Sequence, residues 1–508
     1  MAKKIKTPGV YVEEISTYPI SITGVETSVP AFIGYTEKAT RDGKDLLNKP
    51  IRISSFAEYQ ELFGVAFLAK FTISPIGDSP TNATMTINGN DYHIDFAENN
   101  NALLYPSIDF FYANGGGHCY IVSVGTYQEK SSLPLDMEDL LGTKIIANKF
   151  IEGGLKILEK EQAPTMLVIP DAVNLSVEQC YTVYKAVLEQ CATLQSRVAI
   201  LDIPKGFQEN VSGGEDANIV SFRDAIGTEN LSYGVAYYPW LHTAITQKSE
   251  VSLENINLEL PDLAALLPED TAITLINTYI NDPKKNENKK QILHTQLLAV
   301  SPTYTQIIDE ICRIINLLPP SSAMAGIYTM VDNSRGVWKA PANVSVHNVI
   351  KPAITISHED QESLNVDAVA GKSINAIRAF PGKGTLVWGA RTLDGNSSEW
   401  RYINVRRTAI MLEQSIKFAI EAYVFEPNDA NTWVRIKSMV SNFLTDIWRQ
   451  GALTGAKPEH AFGVQIGLGT TMTAQDILEG RMILSVMFAP IRPAEFIVIR
   501  IVQQMQGS

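Results

Sequence analysis

Between Lys149 and Tyr238 the chain switches repeatedly between two hydrophobic periods, and this alternation restricts its fold more than any other feature. Met166–Ile169, Val198–Leu201 and Gly234–Tyr238 are short apolar runs that read as buried strands. Helical spacing recurs over Phe150–Glu161 and Val177–Leu194. Strands joined through helices return in the same direction, so the expected core is a mainly parallel sheet with helices on its faces. Upstream, Pro30–Tyr35 reads as a further strand, and Ser54-Ser55-Phe56 opens a helix that Gly64 stops after Phe63. A second helix is expected near Ile108–Ala113. It ends at Gly115-Gly116-Gly117, ahead of a buried strand over Cys119–Val124. Thr84–Ile94 alternates around Asn88-Gly89, which suits the positive φ angles of a type I′ hairpin.

The character changes near Pro341. Ala409, Leu412, Ile416, Ala419, Ile420 and Tyr423 recur at helical spacing, as do Trp433, Ile436, Val440, Phe443, Leu444 and Ile447. Asp429 or Asn431 is the expected cap of the second helix and Gly451 its stop. Two strands follow, Met482–Phe488 and Glu495–Val502, separated by Pro490 and Pro493. A chain of 508 residues exceeds one core. The expected fold class is therefore multidomain, α/β with α+β. A strand arm over 1–25 precedes an α/β middle region over 26–340, which carries inserted parts near 71–98 and 243–300. A C-terminal α+β domain over 341–490 and a second strand arm over 491–508 complete the chain. Within the later insertion, Lys284, Lys285, Lys289 and Lys290 read as a solvated surface loop.

Both ends are strand-like and lack a hairpin partner. Pro8-Gly9-Val10-Tyr11-Val12 is a short β-prone run behind a turn signal. At the other end Ile497, Ile499 and Ile501 alternate with Phe496, Val498 and Arg500, presenting two apolar faces that suit a strand enclosed within a sheet. Each must pair with something distant in sequence or with another chain.

No chemistry stands out. With a net charge of −13 the molecule repels phosphate backbones, so no direct nucleic-acid binding is expected. Cys119, Cys180, Cys191 and Cys312 fit no zinc spacing and read as reduced thiols. Ala370-Gly371-Lys372-Ser373 ends like a phosphate loop, but Val366 stands where the motif needs its first glycine. His358-Glu359 lacks a second histidine one turn on, and no nucleophile elbow occurs. The basic start is broken at Thr7-Pro8-Gly9, and no apolar stretch reaches the ~20 residues that cross a bilayer. Neither an export signal nor membrane insertion is expected, and no catalytic, cofactor-binding or metal site is read.

Five segments, in order, resemble the contractile tail sheath protein family. They are Thr7–Glu14; Phe110–Val122; Pro319–Gly326 with Arg335–Asn343; Ile374–Gly384 with Val387–Leu393; and Asn404–Arg407 with Phe425–Asn428. The two insertions carry no such match. The resemblance implies a conserved sheath core domain formed by N- and C-terminal segments, with inserted outer domains outermost. It implies a non-enzymatic subunit that needs no cofactor and polymerises through strand exchange, using Pro8, Gly9, Val10, Tyr11 and Val12 in one arm and Phe496, Ile497, Val498, Ile499 and Ile501 in the other. The implied partners are further copies in stacked hexameric rings, an inner tube protein, and baseplate and terminator or cap proteins. Assembly in a bacterial cytoplasm into a virion tail or a released extracellular particle follows. Arg435, Lys437 and Arg449 on the second helix are the candidate inner-tube contact, with Arg406, Arg407 and Lys417 on the first helix as the rival set. A tube or baseplate role, or an α/β enzyme, is the alternative.

Overall fold

Asn375–Phe380, Gly234–Tyr238, Val198–Asp202, Met166–Val168, Pro30–Thr36 and Cys119–Thr126 lie side by side and parallel, in this order. The computed structural model describes residues 21–76, 85–97, 101–127, 135–146, 149–150, 152–208, 216–367 and 371–496. Every residue of the four central strands is buried, because helices cover both faces of a parallel sheet and leave no wet side. The edges turn antiparallel. Pro50–Ile53 pairs with Cys119–Thr126, and Gly384–Val387 folds back on Asn375–Phe380 and carries Val344–Ser345 beyond it.

Helix Leu104–Ala113 packs against Ser321–Arg335, and small residues set how closely they approach. A Cβ on Gly326 would stand 2.4 Å from the carbonyl oxygen of Phe111. Helix Phe56–Phe63 matches its expected bounds, with Ser55 accepting from the amide of Glu58 and Gly64 ending it at φ 87°. The Leu104–Ala113 helix starts one turn earlier than its apolar pattern suggests. Val177–Leu194 falls where expected.

Asp202, at the end of its strand, meets the start of helix Ser321–Arg335. Its carboxylate accepts from the amide and hydroxyl of Ser321 at 2.8 and 2.5 Å. Burial pushes this carboxyl up to about 7, against the pull of those two bonds. A carboxyl whose folded value lies above its unfolded one favours the folded state at low pH, and that stability is lost as pH rises from about 4 towards 7. Asp202→Asn should therefore flatten the fall in melting temperature between pH 5 and pH 8, as read by calorimetry on unassembled chain; an unchanged slope would count against this role.

Two sequence expectations need correction. The helix over Phe150–Glu161 is only Gly154–Ile157 with a 3₁₀ turn at Leu158–Lys160, because Gly153 is extended and Gly154 takes φ 46°. The later insertion is largely helical, with Leu260–Leu266, Asp270–Ile280 and Glu287–Val300, and Pro302–Ile315 follows it; of the lysines read as a surface loop, Lys284 and Lys285 lie in an exposed turn. Lys289 and Lys290 lie on the third of these helices, where Lys290 pairs with Glu254 at 2.8 Å.

These helices share a second hydrophobic core with Phe71–Pro75, Met85–Ile87 and Asn90–Phe96. The hairpin turns at Asn88 (φ 51°) and Gly89 (φ 78°), as its Asn-Gly pair requires. The two insertions are stitched together by the bond from Asn257 N to Phe71 O (2.8 Å) and the one from Asn255 Nδ2 to Ala69 O (2.9 Å). They build one core between them.

By its internal contacts the chain divides into two units: Glu26–Ile410 with Arg492–Ser508, and Met1–Val25 with Met411–Ile491. In the smaller unit helix Ala430–Arg449 buries Ile436, Met439, Val440, Phe443, Leu444 and Ile447 along one face. Asp429 is its cap, accepting from the amide of Thr432 at 2.9 Å. The strand Phe462–Ile466, unforeseen in the sequence, pairs antiparallel with Leu484–Phe488. Helix Ile403–Ile420 accounts for the other amphipathic pattern.

Candidate assembly site

The C-terminal hairpin forms a sheet of two strands among the described residues. Phe462–Ile466 and Leu484–Phe488 pair only with each other among the described residues. No residue of Leu484–Phe488 is buried, although Leu484, Val486 and Phe488 are apolar. A two-stranded ribbon with unclosed edges is marginal by itself and presents free backbone donors and acceptors. Beside it lies a cleft of about 260 Å3 lined by Tyr423, Val424, Phe425, Ile436, Ile466 and Leu484, among others. Phe425 is fully exposed and sits at φ 72°, a conformation that costs a bulky residue energy. The loop that carries it is tied down by Asn428, which accepts from Trp433 Nε1 (2.7 Å) and donates to the carbonyl of Arg481 (3.0 Å).

The first arm residues, Pro8, Gly9, Val10, Tyr11 and Val12, lie outside the described residues, as do Ile497, Val498, Ile499 and Ile501. Phe496 is described and is 73% exposed. Buried side chains grip the chain just inside each arm. At the N-terminal side, Thr27 O accepts from Arg407 Nη2 (2.9 Å), and Thr27 Oγ1 donates to Asp332 (2.7 Å). Arg407 and Asp332 form a two-pronged ion pair at 2.6 and 3.0 Å, with side chains only 4% and 2% exposed.

At the C-terminal side, Glu495 accepts from Arg391 at 2.6, 3.0 and 3.2 Å, from Tyr402 Oη at 3.0 Å and from Asn365 Nδ2 at 2.9 Å. Burial raises this carboxyl, but Arg391, Asn365 and Tyr402 outweigh it and hold Glu495 below the usual carboxylate range. Sequence reading missed this cluster, since its members are far apart along the chain and match no spacing rule.

Arg435, Lys437 and Arg449 are all exposed on helix Ala430–Arg449. They do not share one stripe. At ~100° per residue Arg435 and Arg449 fall on one edge of the exposed face, and Lys437 falls on the opposite edge. Arg449 faces Asp446 at 3.5 Å. The rival residues are differently employed. Arg407 is in the buried ion pair, and Arg406 is sandwiched between Trp400 and Tyr233, 3.5 and 4.3 Å from the ring centres, so only Lys417 of that set is exposed.

The phosphate-loop lookalike is structural. Lys372 is buried with its amine bonded to the carbonyl of Arg223, and Ser373 Oγ donates to Asn365 O at 2.6 Å. Gly115-Gly116-Gly117 is a helix end and tight turn, with Gly115 at φ 91°. Among the described residues no three His, Cys, Asp or Glu side chains are placed to hold a metal, and no helix is long and apolar enough to cross a membrane. The four cysteines are free thiols, three of them buried.

The family described as Phage tail sheath C-terminal domain matches residues 396–504. The fold is similar over 99% of both chains to the contracted sheath complex of an extracellular contractile injection system (PVC), with 28% identity and a TM-score of 0.60. It is similar to the contracted helical sheath of the anti-feeding prophage over 98% of this chain and 100% of that one, with 26% identity and a TM-score of 0.59. The tail sheath protein of Vibrio phage KVP40 is 28% identical over 139 residues, 27% of this chain and 20% of that protein. The matched part is thus about a fifth of that curated relative's length.

Proposed function

We propose that this chain, similar to contractile tail sheath proteins, is the structural subunit of a contractile sheath around an inner tube. The observation that supports this reading is the hairpin Phe462–Ile466 and Leu484–Phe488, which has no third strand among the described residues, in a chain whose sequence carries β-prone runs near both ends. Strand donation from neighbouring copies completes the hairpin by backbone hydrogen bonds, and the adjoining apolar cleft takes their side chains. Pro8 to Val12 and Phe496 to Ile501 supply those strands.

The family's common core is built on the smaller unit's Met411–Ile491. The parts near 71–98 and 243–300 lie outermost. Copies stack as hexameric rings, bounded by baseplate and terminator proteins. The exposed face of helix Ala430–Arg449 meets an acidic tube through Arg435 and Arg449 along one edge and Lys437 along the other. Surface ion pairs contribute only ~0–1 kcal/mol each, so this contact releases readily. Contraction is then a change between two packings of intact units on preserved tethers, driven by energy stored at assembly and not by a nucleotide. Assembly takes place in the bacterial cytoplasm, and the product is a virion tail or a released particle.

Expressing the chain without partners tests this reading. Electron microscopy should show hollow tubes of contracted-sheath dimensions. Monodisperse subunits at high protein concentration would contradict it.

A further inference from the structure

A mesh that stays connected while its subunits move must carry tension through the points where the arms leave the folded body. Those points are closed by buried ion pairs, a feature they share with Arg223–Asp367 in the fold's interior. Most described ion pairs of this chain are exposed or half-exposed, for example Arg41–Glu58 and Arg449–Asp446. The pairs at the two arm roots are not. Arg391 and Glu495 retain 5% and 20% side-chain exposure, and Arg407 and Asp332 retain 4% and 2%.

The segment Arg391–Arg407 contributes to both. Arg391 and Tyr402 grip Glu495 with the help of Asn365. Arg407, with Asp332, grips the backbone and hydroxyl of Thr27. Just beyond Glu495 the next side chain, Phe496, stands in solvent, so Glu495 is the last firm hold among the described residues.

We propose that Arg391, Asn365 and Tyr402 form a carboxylate-binding socket for Glu495 that anchors the C-terminal arm to the larger unit, and that Arg407 and Asp332 anchor the N-terminal arm at Thr27. The inference rests on the sheath reading and adds the residues through which its tethers pull. The geometry suits the task. A guanidinium holding a carboxylate through two prongs resists displacement in the plane of both groups, and the phenol and amide occupy the remaining lone pairs. A pull on the arm then loads charge-assisted bonds together instead of peeling apolar contacts one by one.

The test uses the full chain carrying Arg391→Gln with Glu495→Gln, which keeps amide hydrogen bonding and removes both charges, so no buried charge is left alone. The critical concentration for tube formation, read by sedimentation, should rise about ten-fold, the equivalent of ~1.4 kcal/mol per added subunit. Melting of the unassembled chain should barely move. Should the double variant fold poorly, Tyr402→Phe, which removes one bond of the socket and no charge, should give the same direction of change.

A chain ending at Phe496 is the companion. If it stays monomeric while the charge-removed chain polymerises within two-fold of the native concentration, the socket proposal is wrong and the arm reading stands. If the chain ending at Phe496 forms tubes as readily as the native protein, the arm reading itself fails.

Discussion

Deleting Met1–Ile15, or ending the chain at Phe496, will give folded subunits that no longer polymerise. The first cut removes the β-prone run at Pro8 to Val12, and the second removes Ile497 to Ile501. Neither touches the parallel sheet or the two cores, whose buried members lie between Ala31 and Ile410. What each deletion removes is a ladder of backbone bonds. Each net bond contributes about 0.5–1.5 kcal/mol, and a strand of several residues forms several of them while burying apolar side chains. Loss of one donated strand therefore amounts to several kcal/mol per subunit, and assembly should fall by at least ~100-fold in concentration terms. Sedimentation velocity, with circular dichroism as the control for folding, reads this directly. Ending at Phe496, and not before Glu495, keeps the socket filled, so the loss belongs to the strand.

Arg407→Met will destabilise the larger unit more than any substitution on the surface. Its partner Asp332 is 2% exposed and would lose both prongs of the guanidinium, leaving a buried carboxylate with the Thr27 hydroxyl. Removing one member of a buried pair costs about 3–5 kcal/mol, and removing both with apolar replacements costs far less. For a unit of this size the single change should lower the melting temperature by roughly 5 °C. Arg407→Met with Asp332→Leu should recover most of that loss. Calorimetry on assembly-deficient chain checks both, and a shift under about 2 °C for the single variant would contradict the account.

Local patterns were legible where a local rule produced them. Val177–Leu194, Phe56–Phe63, the Asn88-Gly89 turn and the Asp429 cap all follow from neighbouring residues. The parallel sense of the sheet followed from strand–helix alternation. Strand order did not, because Pro30–Thr36 sits between Met166–Val168 and Cys119–Thr126, an arrangement no periodicity encodes. The union of the two insertions into one core was hidden for the same reason: its joining bonds run between Ala69–Phe71 and Asn255–Asn257.

The helices from Leu260 to Ile315 escaped notice because Lys, Asn and Pro dominate their ends. The prolines stand in the first turn, where the missing amide hydrogen is no loss. At the assembly site, the apolar runs at both ends read as strands in the sequence but lie outside the described residues, and the grip on the chain beside them followed from no local rule. Arg391, Arg407 and Glu495 look like ordinary surface charges until the fold brings their partners to them. The three basic residues of helix Ala430–Arg449 show the converse: they are close in sequence, and the turn of the helix sets Lys437 apart.

The most direct test is a cryo-electron microscopy map of the assembled polymer, traced through the hairpin Phe462–Ile466 and Leu484–Phe488. Donation predicts that strands from other copies flank this hairpin, one built from residues around Val10 and the other from residues around Ile499. A map in which both ends of every chain fold back on their own subunit, with the hairpin edges open or covered by side chains alone, would contradict it.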